Sequence, residues 1–161
     1  MSTPDFNPVP SSILTIRFQD CDPFNHLNNG RYVDYFLNAR EDHLLEHYGL
    51  DIYGIARASG LSWVVSTSQI AYLRPAFLME KVLVETQLIT YSPKHVQVEM
   101  RMWDEKKAAL KSFCWMGFVH FDIRQNKVQE HSAEYRALFE RVQTPVQQAS
   151  FEERLVFLKR G

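Results

Sequence analysis

Within ten residues, Asp20-Cys21-Asp22-Pro23-Phe24-Asn25-His26-Leu27-Asn28-Asn29, the chain gathers two carboxylates, a thiol, an imidazole and three side-chain amides. The stretch joins an alternating run, Ile13 to Phe18, to a run from about Asn29 to Tyr48 whose apolar residues fall at helical spacing. It is therefore a strand-to-helix loop. Asn28 and Asn29 suit a helix N-cap, because a short side-chain oxygen accepts from a free amide of the first turn, a contact worth about 1 kcal/mol. The first-turn amides left over point outward and favour negative charge. Asp22 precedes the caps by six or seven residues, so a tight loop brings its carboxylate near the helix end. A carboxylate beside outward-pointing amides is what acyl transfer needs: one group attacks or activates water, and donors stabilise the developing oxyanion. On spacing alone, the plainer reading of Asp22 is a loop aspartate that caps Phe24 or Asn25 through an Asx turn. Asp20, Asp22 and His26 also raise the thought of a metal, but their spacing matches no template and no second ligand cluster follows.

The segment Asp20 to Arg40 resembles a motif of the 4-hydroxybenzoyl-CoA thioesterase-like branch of hotdog-fold proteins, roughly D-x-D-x-x-G-H-V-N-N-x-x-Y followed by an aromatic-rich helix. Asp22, His26, Asn28, Asn29 and Tyr32 match it. Ala71-Tyr72-Leu73-Arg74-Pro75-Ala76 is similar to the family's second landmark, a strand ending in Y-x-R-P. The resemblance spans roughly residues 12 to 142. Asn25 departs from it, standing where the family commonly has Gly; Asn tolerates positive φ better than most residues, so the loop shape is expected to survive.

The resemblance implies a thioester hydrolase acting on an acyl-CoA, or on an acyl carrier protein thioester, with no metal or redox cofactor. It makes Asp22 the catalytic group, as nucleophile or as base for water. The backbone amide of Asn29 or Gly30 becomes the oxyanion donor. His26 belongs to the same loop and is read as holding it by hydrogen bonds to backbone rather than as an acid, since a thiolate leaves readily. Arg74 and Lys94 resemble positions where relatives touch coenzyme A, with Lys106 and Lys107 as weaker candidates. Tyr32, Phe36, Trp63 and Tyr72 are expected to line the acyl pocket, although all four are equally suited to plain core. Family members pair two units edge to edge, which implies a homodimer, or a tetramer built as a dimer of dimers, with Asp22 of one subunit facing Arg74 or Lys94 of the other. Two further readings stay open. One is a non-catalytic acyl-CoA binding or scaffold protein. The other is a hotdog enoyl-CoA hydratase, although the G-D-x-N-P-x-H pattern of that branch is absent.

At 161 residues, the chain suits one domain that buries roughly 70% of its unfolded surface. A net charge of -1 without a basic block argues against nucleic acid as the main partner, because phosphate binding relies on clustered Lys and Arg. Any anionic ligand must be held by a few local residues. Cys21 and Cys114 are the only thiols, too few for a disulfide framework. The start, MSTPDFNPVPSS, has neither the charged nor the apolar region of a signal peptide. No run approaches the ~20 apolar residues of a membrane span. A cytoplasmic protein is expected.

The elements that must position the loop follow from periodicity. Residues 1–11, with three prolines, are expected to be an ill-ordered lead-in. The helix from Asn29 to Tyr48 carries apolar residues over most of its circumference, with Arg31, Asp34, Asn38 and Glu41 or Asp42 confined to one stripe. Such a helix is buried, so in a small domain a sheet must curl around it. Gly49 is its expected C-cap, and a helical turn is expected around Ile52 to Ala58. Strands are expected at Ser62 to Leu73, Val82 to Tyr91, His95 to Trp103 and Ala108 to Phe121. In the third of these, Val96, Val98, Met100 and Met102 alternate with Gln97, Glu99, Arg101 and Trp103, which predicts one wet face. The last is apolar on both faces, with Leu110, Cys114, Met116 and Phe118 opposing Phe113, Trp115 and Val119, and is expected at the sheet's centre. One strand, one long helix, then four strands is an α+β arrangement, the order of a single hotdog unit. Ser132 is expected to cap a terminal helix that ends the domain near residue 142. The tail from 143 to 161 holds a short amphipathic piece, Phe151, Leu155 and Leu158, read as packed on the protein or a partner rather than on a membrane surface.

Overall fold

The computed structural model describes residues 6–160. In chain order it contains β1 (Ser11–Thr15), α1 (Tyr32–Tyr48), α2 (Ile52–Ser59), β2 (Leu61–Tyr72), β3 (Lys81–Tyr91), β4 (His95–Asp104), β5 (Leu110–Asp122), the two-residue β6 (Lys127–Val128), α3 (Ala133–Val142) and α4 (Phe151–Lys159). The strands form one antiparallel sheet in the order β1-β3-β4-β5-β2, with β6 against the end of β5. It curls around α1, giving the α+β hotdog architecture. The first strand differs from the expected Ile13 to Phe18: it ends at Thr15, because Phe18–Asp20 closes into a single 3-10 turn that starts the loop.

Helix α1 presents Arg31, Asp34, Asn38 and Asp42 to solvent and buries Tyr32, Phe36 and Ala39. Gly49 ends it at φ +68°, its amide reaching the Leu44 and Leu45 carbonyls. That left-handed conformation is one that glycine adopts without strain. The buried side of α1 also carries two polar residues, Arg40 and His43. Both are tied to β3 through Thr86, whose Oγ1 lies 2.8 Å from Arg40 Nη1 and 2.8 Å from His43 Nδ1.

The outer face of the sheet departs from expectation. Glu99 and Arg101, assigned to a wet face of β4, are buried, because α4 lies across them. Arg154 of α4 donates to both oxygens of Glu99, at 2.8 Å each. Arg101 bridges Glu99 and Glu85 of β3, and Trp115 donates to Glu99 at 2.7 Å. Burial pushes the Glu99 carboxyl up, yet the charge-assisted bonds from Arg154 and Arg101 outweigh it and hold the group below its ordinary range. Around these charges Ile89, Leu110, Phe113 and Trp115 meet Phe151, Leu155 and Leu158 in a second core. Leu110 thus shares a face with Phe113 and Trp115 rather than with Cys114. The cause is a bulge: Met102 and Trp103 face Ser112 and Leu110, so Lys111 is the extra residue.

Of the expected lead-in, residues 1–5 lie outside the described residues. Residues 6–11 are tied down: the Phe6 ring lies under the Arg141 guanidinium at 3.7 Å, the Asn7 carbonyl accepts from Tyr48 at 2.9 Å, and the Pro10 carbonyl accepts from the Thr86 amide at 3.1 Å.

Candidate active site

The loop before α1 folds back on itself as a small hairpin. Cys21 pairs with Leu27, the Asp22 amide donates to the His26 carbonyl at 2.8 Å, and the Asn28 amide donates to the Asp20 carbonyl at 2.9 Å. Asn25 sits at the tip with φ +61°, the conformation for which the missing glycine is the usual choice. A third segment clamps the hairpin: the Leu27 amide donates to Ala76, the Leu78 amide to Asn25, and His26 pairs with Phe77. The strand-end landmark thereby touches the loop landmark.

Asp22 Oδ1 accepts from the amides of Phe24 and His26, at 2.9 and 3.0 Å. This is the Asx turn. Among the described residues no donor reaches Oδ2, so one oxygen fixes the side chain and the other is left without a partner there. The turn and a chemical role are compatible. The expected start of α1 at Asn29 is instead a 3-10 turn, Asn29–Arg31, which Asn28 caps: its Oδ1 accepts from the Gly30 amide at 3.0 Å. Gly30 is therefore committed to its cap, whereas no acceptor is recorded for the Asn29 amide among the described residues. The His26 ring forms no hydrogen bond among the described residues; it meets Phe77 edge-on at 5.1 Å. Its backbone holds the loop, and its imidazole does so only by contact.

Two tyrosines join the loop to the scaffold. The Tyr35 hydroxyl donates to Asp20 Oδ2 at 2.6 Å and accepts from the Arg17 amide at 3.0 Å. Burial, followed by the bond to Asp20, pushes its pKa up to about 12. The Tyr72 hydroxyl donates to the Asn29 carbonyl at 2.9 Å, with its ring edge-on to Tyr32 at 5.1 Å. Tyr32 accepts from the Ala76 amide at 3.3 Å and, like Phe36, is fully enclosed core. Of the four aromatic residues assigned to an acyl pocket, Trp63 lines the cavity between α1 and the sheet.

That cavity, about 190 Å³, lies between α1, α3 and the concave sheet, with Leu37, Arg40, Glu41, Leu44 and Tyr48 of α1 on one side and Leu88, Val96, Val98 and Phe118 on the other. Trp63 closes one wall in a stack with His120, its centroid 4.5 Å away, and donates to His131 Nε2 at 3.0 Å. Periodicity pointed to the apolar walls as core and passed over Arg40. Its signal was a cation on the buried stripe, four residues after Phe36.

The two candidate phosphate cations stand far apart within one chain. The Arg74 amide donates to the Lys111 carbonyl, and the Lys94 carbonyl accepts from the His120 amide. Nine residues of β5 separate those anchors (120 − 111), or about 30 Å at ~3.3 Å per residue. Arg74 is at the Asp22 end and Lys94 at the other. Lys106 is exposed, whereas Lys107 is engaged with Glu85 at 3.1 Å.

Among the described residues no helix is long and apolar enough to cross a membrane. A family model, the thioesterase-like superfamily, matches residues 16–157. The long-chain acyl-CoA thioesterase FadM of Escherichia coli (strain K12) is 25% identical over 129 residues, covering 80% of this chain and 96% of that protein. Among solved structures, the DHNA-CoA thioesterase of Staphylococcus aureus is similar at a TM-score of 0.76 and 18% identity, covering 83% of this chain and 90% of that one. The hypothetical protein SAV2348 of Staphylococcus aureus, solved in complex with CoA, is similar at 0.77 and 13%, covering 92% and 94%. With its hotdog architecture and a family match over most of its length, the chain belongs to the thioesterase-like superfamily and is a thioester hydrolase.

Proposed function

We propose that the protein hydrolyses an acyl-CoA thioester to the free acid and the thiol, with Asp22 as the catalytic carboxylate. The observation that carries this reading is the split use of that side chain: Oδ1 is immobilised by two amides while Oδ2 is left for chemistry. As nucleophile, Oδ2 attacks the thioester carbonyl, the C–S bond breaks with loss of the CoA thiolate, and water hydrolyses the resulting anhydride. As base, Oδ2 takes a proton from water, which attacks instead. In either route the negative charge that builds on the carbonyl oxygen needs a donor, and the Asn29 amide, in the 3-10 turn that leads into α1, is the candidate. His26 and Gly30 support the loop rather than the reacting atoms.

A homodimer completes this site. Strand β2 is twelve residues long and lies at the sheet edge, where unpaired amides and carbonyls invite another strand. Antiparallel pairing of β2 with its copy about the middle of the strand brings the Tyr72 end of one subunit beside the Trp63 end of the other. The Asp22 loop would then stand next to the partner's cavity and next to Lys94 of the partner subunit, with Arg74 supplied from its own chain. Light scattering should give about twice 18.9 kDa; a monomer would contradict the composite site. Release of free thiol from acyl-CoAs of graded length tests the activity. Tight binding of acyl-CoA without thiol release would favour a non-catalytic carrier instead.

A further inference from the structure

The cavity beneath α1 is apolar almost all round, yet one wall carries a permanent positive charge. Arg40 is 7% exposed; Nη1 donates to Thr86 Oγ1 at 2.8 Å, and its guanidinium carbon lies 5.6 Å from the centroid of the Tyr48 ring. Neither neighbour is an anion. Among the described residues no carboxylate lies within ion-pair reach of it. Glu41, its neighbour in the cavity wall, instead accepts from the Tyr53 hydroxyl at 2.8 and 2.9 Å. The buried Arg101 and the half-buried Arg154 behave differently: Arg101 is paired with Glu85 and Glu99, and Arg154 with Glu99. Buried charge is normally compensated, because removing it from water is costly. A guanidinium keeps its charge and has more donors than Thr86 can use.

The cavity's shape tells how a ligand would meet that charge. Its lining is 42% exposed at Val65, on edge strand β2, and only 2% exposed at Leu88, two residues along β3 from the Thr86 that holds Arg40. The cavity opens at the β2 edge, which in the proposed dimer faces the partner subunit, and Arg40 is inside. At about 190 Å³ the space exceeds the roughly 150 Å³ of an engineered apolar cavity that takes up benzene.

We propose that this cavity binds an apolar chain bearing a carboxylate, with Arg40 as its counter-ion at the inner end. Two sources offer that chemistry. A free monocarboxylate, the class of product a thioesterase releases, would enter head first. An acyl group ending in a second carboxylate would enter by its far end and leave its thioester at the mouth; this form rests on the acyl-CoA reading above, and the free-acid form does not.

Calorimetric titration of the full chain at pH 7 with octanoate and with 1-octanol separates charge from apolar volume. Octanoate is expected to bind at least tenfold more tightly; Arg40→Met should abolish the difference and Arg40→Lys should retain part of it. Equal binding of the two, or binding of neither, overturns the proposal without recourse to a variant. Hydrolysis of octanedioyl-CoA against octanoyl-CoA then assigns the source. A tenfold lower KM for octanedioyl-CoA that Arg40→Met erases identifies the acyl form, whereas octanoate binding without that preference identifies the free acid. If neither thioester is hydrolysed, the function proposed above fails while the octanoate result still decides the role of Arg40.

Discussion

Arg154 reaches from α4 to grip both oxygens of Glu99 on β4, Nε to Oε2 and Nη2 to Oε1, each at 2.8 Å. This pair fastens the last helix of the chain over a sheet face that would otherwise expose Phe113 and Trp115. Removing one member of a buried pair costs about 3 to 5 kcal/mol when the other is left uncompensated. Glu99 keeps Arg101 and the Trp115 indole as partners. Arg154→Ala is therefore expected to lower stability by about 2 kcal/mol, read from urea denaturation, while acyl-CoA turnover at low denaturant stays near wild type.

Tyr35→Phe removes the hydroxyl that joins Asp20 to the Arg17 amide. Losing a partly buried donor and acceptor together should cost about 1 to 3 kcal/mol. Because Asp20 also receives the Asn28 amide at the base of the Asp22 hairpin, the loop should loosen and kcat should fall about 10- to 100-fold, the scale of a small misplacement of reacting groups. Steady-state kinetics would show the fall in kcat rather than in KM.

Stability should decline as pH drops below neutrality. Burial, with Arg40 and His47 nearby, brings His43 down to about 4 from its ordinary 6.5. Between those values the unfolded chain binds a proton that the folded protein does not, so folding weakens with falling pH. The contribution is complete above about pH 6.5 and amounts to up to about 3 kcal/mol lost by pH 4, at about 1.4 kcal/mol per unit. His120 and His131 are also lowered, mainly by burial, and act in the same direction. Urea midpoints from pH 4 to 7 should trace this slope, and His43→Gln should reduce it by about one proton.

Local pattern made the hotdog architecture legible: the wide apolar surface of α1, the alternation in β4 and the turn residues between strands are short-range signals. The loop was legible for the same reason, down to the positive φ at Asn25 and the Ser132 cap, whose oxygen accepts from the Tyr135 amide at 3.2 Å. Long-range contacts were not. Glu99 and Arg101 look like a solvated face until α4, some fifty residues later, supplies Arg154. Arg40 looks misplaced on a buried stripe until Thr86 and Tyr48 are folded against it. The distance between Arg74 and Lys94 depends on which end of β5 each meets, which no motif encodes.

Asp22→Asn is the most direct test of the catalytic assignment, because Asn keeps the Oδ1 acceptor of the Asx turn and removes only the charge and the basic Oδ2. Asp22→Ala would lose the turn as well. Measured as free thiol release from a hydrolysed acyl-CoA, kcat for Asp22→Asn should fall by about 10³-fold with an unchanged thermal midpoint. Turnover at the wild-type rate by the folded variant would contradict it.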